Sequence, residues 1–141
     1  MKKIFLSSDH AGYKLKESIK LLLDKKKIRY SDLGPYNNDK VDYPDYAHKV
    51  AKKVKINNNH LGILVCGSGM GMNIAANRHK NIRAAQCFNL KSTKLSRLHN
   101  DANIITLGSR LLTKKNALKY ISVFLNTKFE GGRHAKRIKK I

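Results

Sequence analysis

The chain is poor in cysteine, proline and acid: two Cys, two Pro, nine Asp and Glu together, and no Trp in 141 residues. Cys66 and Cys87 stand far apart, without CxxC or zinc-ligand spacing. That excludes a disulfide framework and a structural zinc site. The six histidines, His10, His48, His60, His79, His99 and His134, show no HExxH or clustered ligand pattern. No metal and no cofactor is therefore expected. No apolar run approaches the ~20 residues that span a bilayer, so no membrane partner is expected either. Residues 1–10 carry a short apolar stretch that breaks at Asp9-His10. It is too short for a signal-peptide core and reads as the first strand of a cytoplasmic protein. No low-complexity linker divides the chain. One domain over residues 1–141 is expected, and a domain of this size buries roughly 68–70% of its unfolded surface.

Scarce acid leaves base in excess: 30 Lys and Arg give a formal charge of +21. A balance of this kind raises a basic nucleic-acid binder as a remote alternative, drawn from net charge alone. The excess is mostly Lys spread over helical faces, such as Lys14, Lys16 and Lys20, or Lys114, Lys115 and Lys119. That distribution reads as a solvated surface. No specific nucleic-acid partner is expected, and attraction of phosphorylated small molecules is a by-product.

Strand and helix patterns alternate throughout. Residues 2–8, 28–33, 61–66, 82–88 and 103–108 read as strands. Residues 11–26 place Leu15, Ile19, Leu22 and Leu23 on one helical stripe, with Lys opposite. Further helices are expected from Tyr43-Pro44-Asp45 onward and over 72–79, 92–100 and 114–126, with a short basic one over 133–141. Gly34-Pro35 stops the second strand and Gly131-Gly132 precedes the last helix. Five strands alternating with helices imply a parallel sheet covered on both faces, a Rossmann-like three-layer α/β/α sandwich. The simplest order is 2-1-3-4-5, with ligands outside the carboxyl ends at the switch point between strands 1 and 3.

Residues 62–71 carry the strongest local signal, Gly-Ile-Leu-Val-Cys-Gly-Ser-Gly-Met-Gly. A buried strand delivers Cys66 to its end, and a glycine-rich turn then opens a helix. Such a turn lets backbone N–H groups face inward as a cradle for negative charge. A thiol beside that cradle suits proton abstraction next to a carbonyl, with the oxyanion held by amides. Cys66 also reads as a small buried hydrophobe, as Cys87 does. Asp9-His10 ends the first strand at the same edge, where Asp9 could equally cap the following helix. His99-Asn100-Asp101 offers a titrating imidazole, or a helix end closed by Asn100. Arg133 and Arg137 share a helix face and could clamp a phosphate, or belong to a solvated basic tail. Arg110 follows the fifth strand at the ligand edge.

Taken in order, Asp9-His10-Ala11-Gly12, Asp42-Tyr43-Pro44, Cys66-Gly67-Ser68-Gly69-Met70-Gly71, Ala75-Ala76-Asn77, Leu95-Ser96-Arg97, His99-Asn100-Asp101, Gly108-Ser109-Arg110 and Glu130-Gly131-Gly132-Arg133-His134 resemble type B ribose-5-phosphate isomerase. That family includes the galactose-6-phosphate isomerase subunits, and the resemblance spans essentially the whole chain. It implies a metal-free aldose–ketose isomerase that interconverts D-ribose 5-phosphate and D-ribulose 5-phosphate through an enediolate. By matching position, Cys66 would be the base, His99 would assist ring opening and Ser68 would shuttle protons. The turn Gly67, Ser68, Gly69, Met70 and Gly71 would hold the enediolate oxygen. Asp9, grouped with the catalytic residues, would contact the sugar with Tyr43 and Asn100. His10, Arg110, Arg133 and Arg137 would bind the phosphate or its surroundings. Family members form homodimers or homotetramers whose active sites use both subunits, so the helix 133–141 would complete the site. Two departures stand out. Ser68 replaces a common Thr, keeping the hydroxyl. Met72 occupies the position where some relatives carry a Glu base. A hexose 6-phosphate of the allose or galactose type is the alternative substrate.

Overall fold

The computed structural model describes residues 2–141. Five parallel strands, β1 (Lys3–Ser8), β2 (Tyr30–Asp32), β3 (His60–Cys66), β4 (Ala84–Gln86) and β5 (Ile104–Gly108), form one sheet. Between and after them run α1 (Tyr13–Lys25), α2 (Tyr43–Val54), α3 (Met70–Ala76), α4 (Leu90–Leu98), α5 (Lys114–Asn126) and α6 (Arg133–Ile138). The three-layer α/β/α architecture is as the alternation implied. None of these helices is long and apolar enough to cross a membrane.

The strand order is β2-β1-β3-β5-β4, which corrects the expected order in its last two places. Burial explains the exchange. Ile104-Ile105-Thr106-Leu107-Gly108 is buried at every position, so β5 needs a neighbour on each side and takes the place beside β3. The three residues of β4, Ala84-Ala85-Gln86, are only half-buried and suit the rim. A short strand there also leaves little unpaired backbone exposed. The switch point stays between β1 and β3.

Apolar side chains fill both faces. Leu15, Ile19 and Leu23 of α1 and Ala117, Ile121 and Phe124 of α5 pack on one side against Ile63, Val65 and Leu107. Val50, Ala51 and Val54 of α2 and Met72, Ala75 and Ala76 of α3 pack on the other against Phe5, Leu64 and Ile104. Dispersed burial of this kind supplies the main driving force of the fold.

Lys16 departs from the solvated role expected of helical lysines. It is fully buried, pairs with Asp32 at 2.7 Å and donates to the Pro35 carbonyl at 2.6 Å. Tyr13 and Tyr36 lie beside its ammonium, 5.5 and 5.7 Å from their ring centres. Burial opposes charge on Asp32, but Lys16 and Lys20 together hold its carboxyl below the usual carboxylate range. Removing one partner of a buried pair leaves the other charge uncompensated. Asp32→Asn, which strands the fully buried Lys16 ammonium whereas Lys20 would still pair Asp32 if Lys16 were lost, is therefore expected to cost about 3 kcal/mol and to lower Tm by ~10 °C. Urea unfolding checks it, and an unchanged midpoint would show the pair to be dispensable.

A second polar contact ties α2 to the turn after α3. His48 Nδ1 lies 2.7 Å from His79 Nε2, so one nitrogen donates and the other accepts. Burial, then the His48, Lys55 and Lys52 charges, pushes His79 below its ordinary value of 6.5. The unfolded chain thus holds more protons than the fold in the window just below that value. His79's contribution is full above pH ~6.5 and is lost as pH falls through that value toward the lowered one. Tm is expected to drop between pH 7.5 and 5, and His79→Gln to flatten part of that slope in a thermal-shift series. A slope identical in the variant would dismiss the contact.

Candidate active site

The switch point carries the site. Asp9 extends β1's last turn beside β3, its N–H donating to the Val65 carbonyl at 3.1 Å. Its buried carboxylate accepts the Gly12 N–H at 2.9 Å, closing the turn into α1. Asp9 therefore braces the turn before α1 and does not cap the helix, whose N-cap is Gly12 with no side-chain cap bond, and the same carboxylate lines the cavity described below. His10 Nδ1 accepts the Val41 N–H at 3.3 Å. In the neutral ring this leaves the proton on Nε2 as a donor.

Cys66 closes β3. It is 4% exposed, and its Sγ accepts the Gly69 N–H at 3.2 Å. α3 begins at Met70, two residues before the expected start, and its seven residues make it short. The turn is held by its surroundings. Gly69 has φ of 78°, and a Cβ there would meet the Leu107 carbonyl carbon at 2.9 Å. A Cβ on Gly71 would overlap the Tyr43 ring at 2.5 Å. Ser68 Oγ accepts the Met70 N–H at 3.2 Å, and Gln86 Nε2 donates to the Ser68 carbonyl at 2.7 Å. Gln86 was not singled out by the sequence reading; its polar ending to an otherwise small strand was the available signal.

Asp9, Tyr43, Cys66, Gly67, Ser68, Gly71, Arg110 and Leu111 line one cavity of about 310 Å³. The Arg110 guanidinium lies against Gly67, and Ser109 Oγ donates to the Ala11 carbonyl at 2.8 Å, tying the β5 end to the β1 end. A larger depression of about 890 Å³ lies by Lys2, Lys3, Lys27 and Arg29. It holds no thiol and no glycine turn. The smaller cavity, with convergent polar groups at a switch point, is the better candidate.

Of the expected residues, His10, Gly69 and Met70 adjoin the lining in sequence without being part of it, and His99, Asn100, Arg133 and Arg137 lie elsewhere. His99 ends α4, so it and Asn100 precede the start of β5, whereas Cys66 pairs with Gly108 at its finish. Gly62 pairs with Ile104, so the four steps from there to Cys66 separate the two ends by roughly 13 Å. The helix end is closed by His99 itself, and Asp101 takes the left-handed φ of 44°. α6 lies at that far edge too. Glu130 N–H donates to the Leu98 carbonyl at 3.0 Å, and the His134 ring stacks on His99 with centres 4.1 Å apart. Arg133 and Arg137 are exposed on α6. Burial, then His99 and Arg133, lowers the His134 pKa, and Glu130 pulls it up. Cys66 and the basic residues of α6 thus lie at opposite edges of the sheet. Cys87 is buried in packing, which pushes its thiol up.

The fold and this cavity define an α/β protein with a glycine-rich turn and a buried thiol at its switch point. Residues 4–141 match the Ribose/Galactose Isomerase family, and the chain belongs to it. Ribose-5-phosphate isomerase B of Escherichia coli is 40% identical over 141 residues, covering 100% of this chain and 95% of that one. The crystal structure of a Thermotoga maritima ribose 5-phosphate isomerase aligns with a TM-score of 0.95 at 47% identity, over 99% of this chain and 96% of that one. The Mycoplasma genitalium ribose-5-phosphate isomerase B, solved with bound ribulose-5-phosphate, aligns at 0.94 and 45%, over 98% and 92%.

Proposed function

We propose that this chain is an aldose–ketose isomerase interconverting D-ribose 5-phosphate and D-ribulose 5-phosphate without a metal. The observation that carries it is the single cavity in which Cys66 Sγ, the 67–71 turn and Arg110 meet. Isomerisation of the open-chain sugar needs a base at carbon, donors for the oxygen that gains charge, and an anchor for the phosphate. The Cys66 thiolate takes the C2 proton and returns it to C1. N–H groups of Gly67 to Gly71 receive the enediolate oxygen, and Ser68 moves a proton between O1 and O2. Asp9 and Tyr43 contact the sugar hydroxyls.

A second copy completes the site. His99 from that copy opens the furanose ring and Asn100 contacts the sugar. Arg133 and Arg137 join His10 and Arg110 at the phosphate. Two observations support this: the parting of the half-sites within one chain, and the exposed apolar side chains beside the cavity. Met70, Phe88, Leu90 and Leu111 follow the carboxyl ends of β3, β4 and β5 and face solvent. Apolar side chains gathered at one edge are what a partner covers. The homodimer so formed uses phosphate binding to hold the sugar in register for proton transfer.

A coupled assay with ribose 5-phosphate, run with EDTA, tests the reading. Turnover that survives chelation is expected, with hexose 6-phosphates slower. Preference for a hexose 6-phosphate would reassign the substrate. Activity abolished by EDTA and restored by a metal would overturn the metal-free scheme.

A further inference from the structure

The isomerisation uses only part of the basic half-site. Glu130 and His134 flank the Gly131-Gly132 break, and Glu130 Oε2 lies 3.6 Å from the Nε2 of both His99 and His134. One donor atom from each of the three falls within 4.8 Å of the other two. Among the described residues no other trio of His, Cys, Asp or Glu meets so closely. The backbone fixes two of the three, through Glu130 N–H to Leu98 and His134 N–H to Gly131 at 3.1 Å. His134 is 6% exposed and its Nε2 has no hydrogen-bond partner. A buried ring nitrogen ordinarily finds one, and 3.6 Å is too long for a bond to Glu130. The unmet nitrogen points into the group where two further donors converge.

We infer that His99, Glu130 and His134 form a site for a zinc-class divalent ion, and that filling it arrests the isomerase. The arrest rests on the proposed reaction; the ion site does not. Two imidazole nitrogens and one carboxylate are a donor set that suits zinc and leaves a fourth position open. Tetrahedral bonds of about 2.0–2.1 Å hold donors roughly 3.3 Å apart, close to the 3.6 Å between Glu130 and each imidazole. The two rings now stack with 13° between planes, whereas a bound ion must lie near the plane of each. One ring has to turn. The His99 side chain is 37% exposed and free to do so, while His134 is held by its burial. Arg133 and Arg137 oppose a cation nearby, so affinity falls short of a structural zinc site. An ion on His99 Nε2 takes the lone pair that ring opening needs.

Titrating zinc into the full chain by calorimetry, and cobalt(II) by visible absorption, tests the site. One ion per chain is expected, with no thiolate-to-cobalt charge-transfer band, which separates this trio from Cys66 and Cys87. Glu130→Gln and His134→Gln are each expected to weaken binding by about tenfold or more. Circular dichroism checks that both variants fold, and Glu130, being exposed, is the safer of the two. Zinc should stop ribose 5-phosphate turnover in wild type, EDTA should restore it, and Glu130→Gln should need at least about tenfold more zinc. Absence of saturable binding, a thiolate band, or folded variants that bind like wild type would overturn the site. Binding without inhibition would overturn the arrest. If the chain turns over no sugar phosphate, the proposed reaction fails while the titrations still decide the ion site.

Discussion

Cys66→Ala is expected to lower kcat by about 10²–10⁴-fold while leaving the fold intact. A positioned base contributes on that order, and no carboxylate stands in for it in the 67–71 turn: position 72 is Met72, fully buried in the core. The substitution removes one sulfur from a packed strand end, so a modest fall in Tm is the structural cost. What it deletes chemically is the acceptor of the Gly69 N–H and the atom facing the cavity. Sugar-phosphate binding, read by calorimetry, should survive because the anchoring arginines are untouched. A kcat within tenfold of wild type would remove Cys66 as the base.

Mixing two dead variants is expected to restore activity. Cys66→Ala spoils the thiol half-site and His99→Asn spoils the basic one, and the two lie at opposite sheet edges. In the proposed two-fold dimer each site draws one half from each chain. A mixed dimer then holds one site with both defects and one with neither. Random exchange makes half the dimers mixed, so about a quarter of wild-type turnover should return. Mass spectrometry can verify that exchange took place. Exchanged dimers with no regained turnover would mean that the two halves do not meet across chains.

Much of the architecture was legible because buried parallel strands read as apolar runs. β1, β3 and β5 announce themselves that way. The place of β4 was not, since three small residues carry no periodicity and its position depends on which strand demands two neighbours. Lys16 was hidden for a different reason. Its burial comes from Asp32 and Pro35, segments distant in sequence that fold over it. The thiol half-site was readable as a motif, and its meeting with Asp9 followed from the switch-point rule. Gln86, Glu130 and His134 acquire roles only through contacts across the fold. The separation of His99 from Cys66 follows from helix direction: α4 runs back from the carboxyl edge, so whatever ends it lies opposite the thiol.

The brace on the glycine turn has its own consequence. Gln86 holds the Ser68 carbonyl from β4, a strand with a single hydrogen-bonded neighbour. Rim strands open most readily, so breathing of the sheet's margin reaches the amides proposed to receive the oxyanion. Precision of that loop is thereby tied to whatever shields that margin, and a subunit laid over it would sharpen the proposed chemistry beyond what its own side chains add.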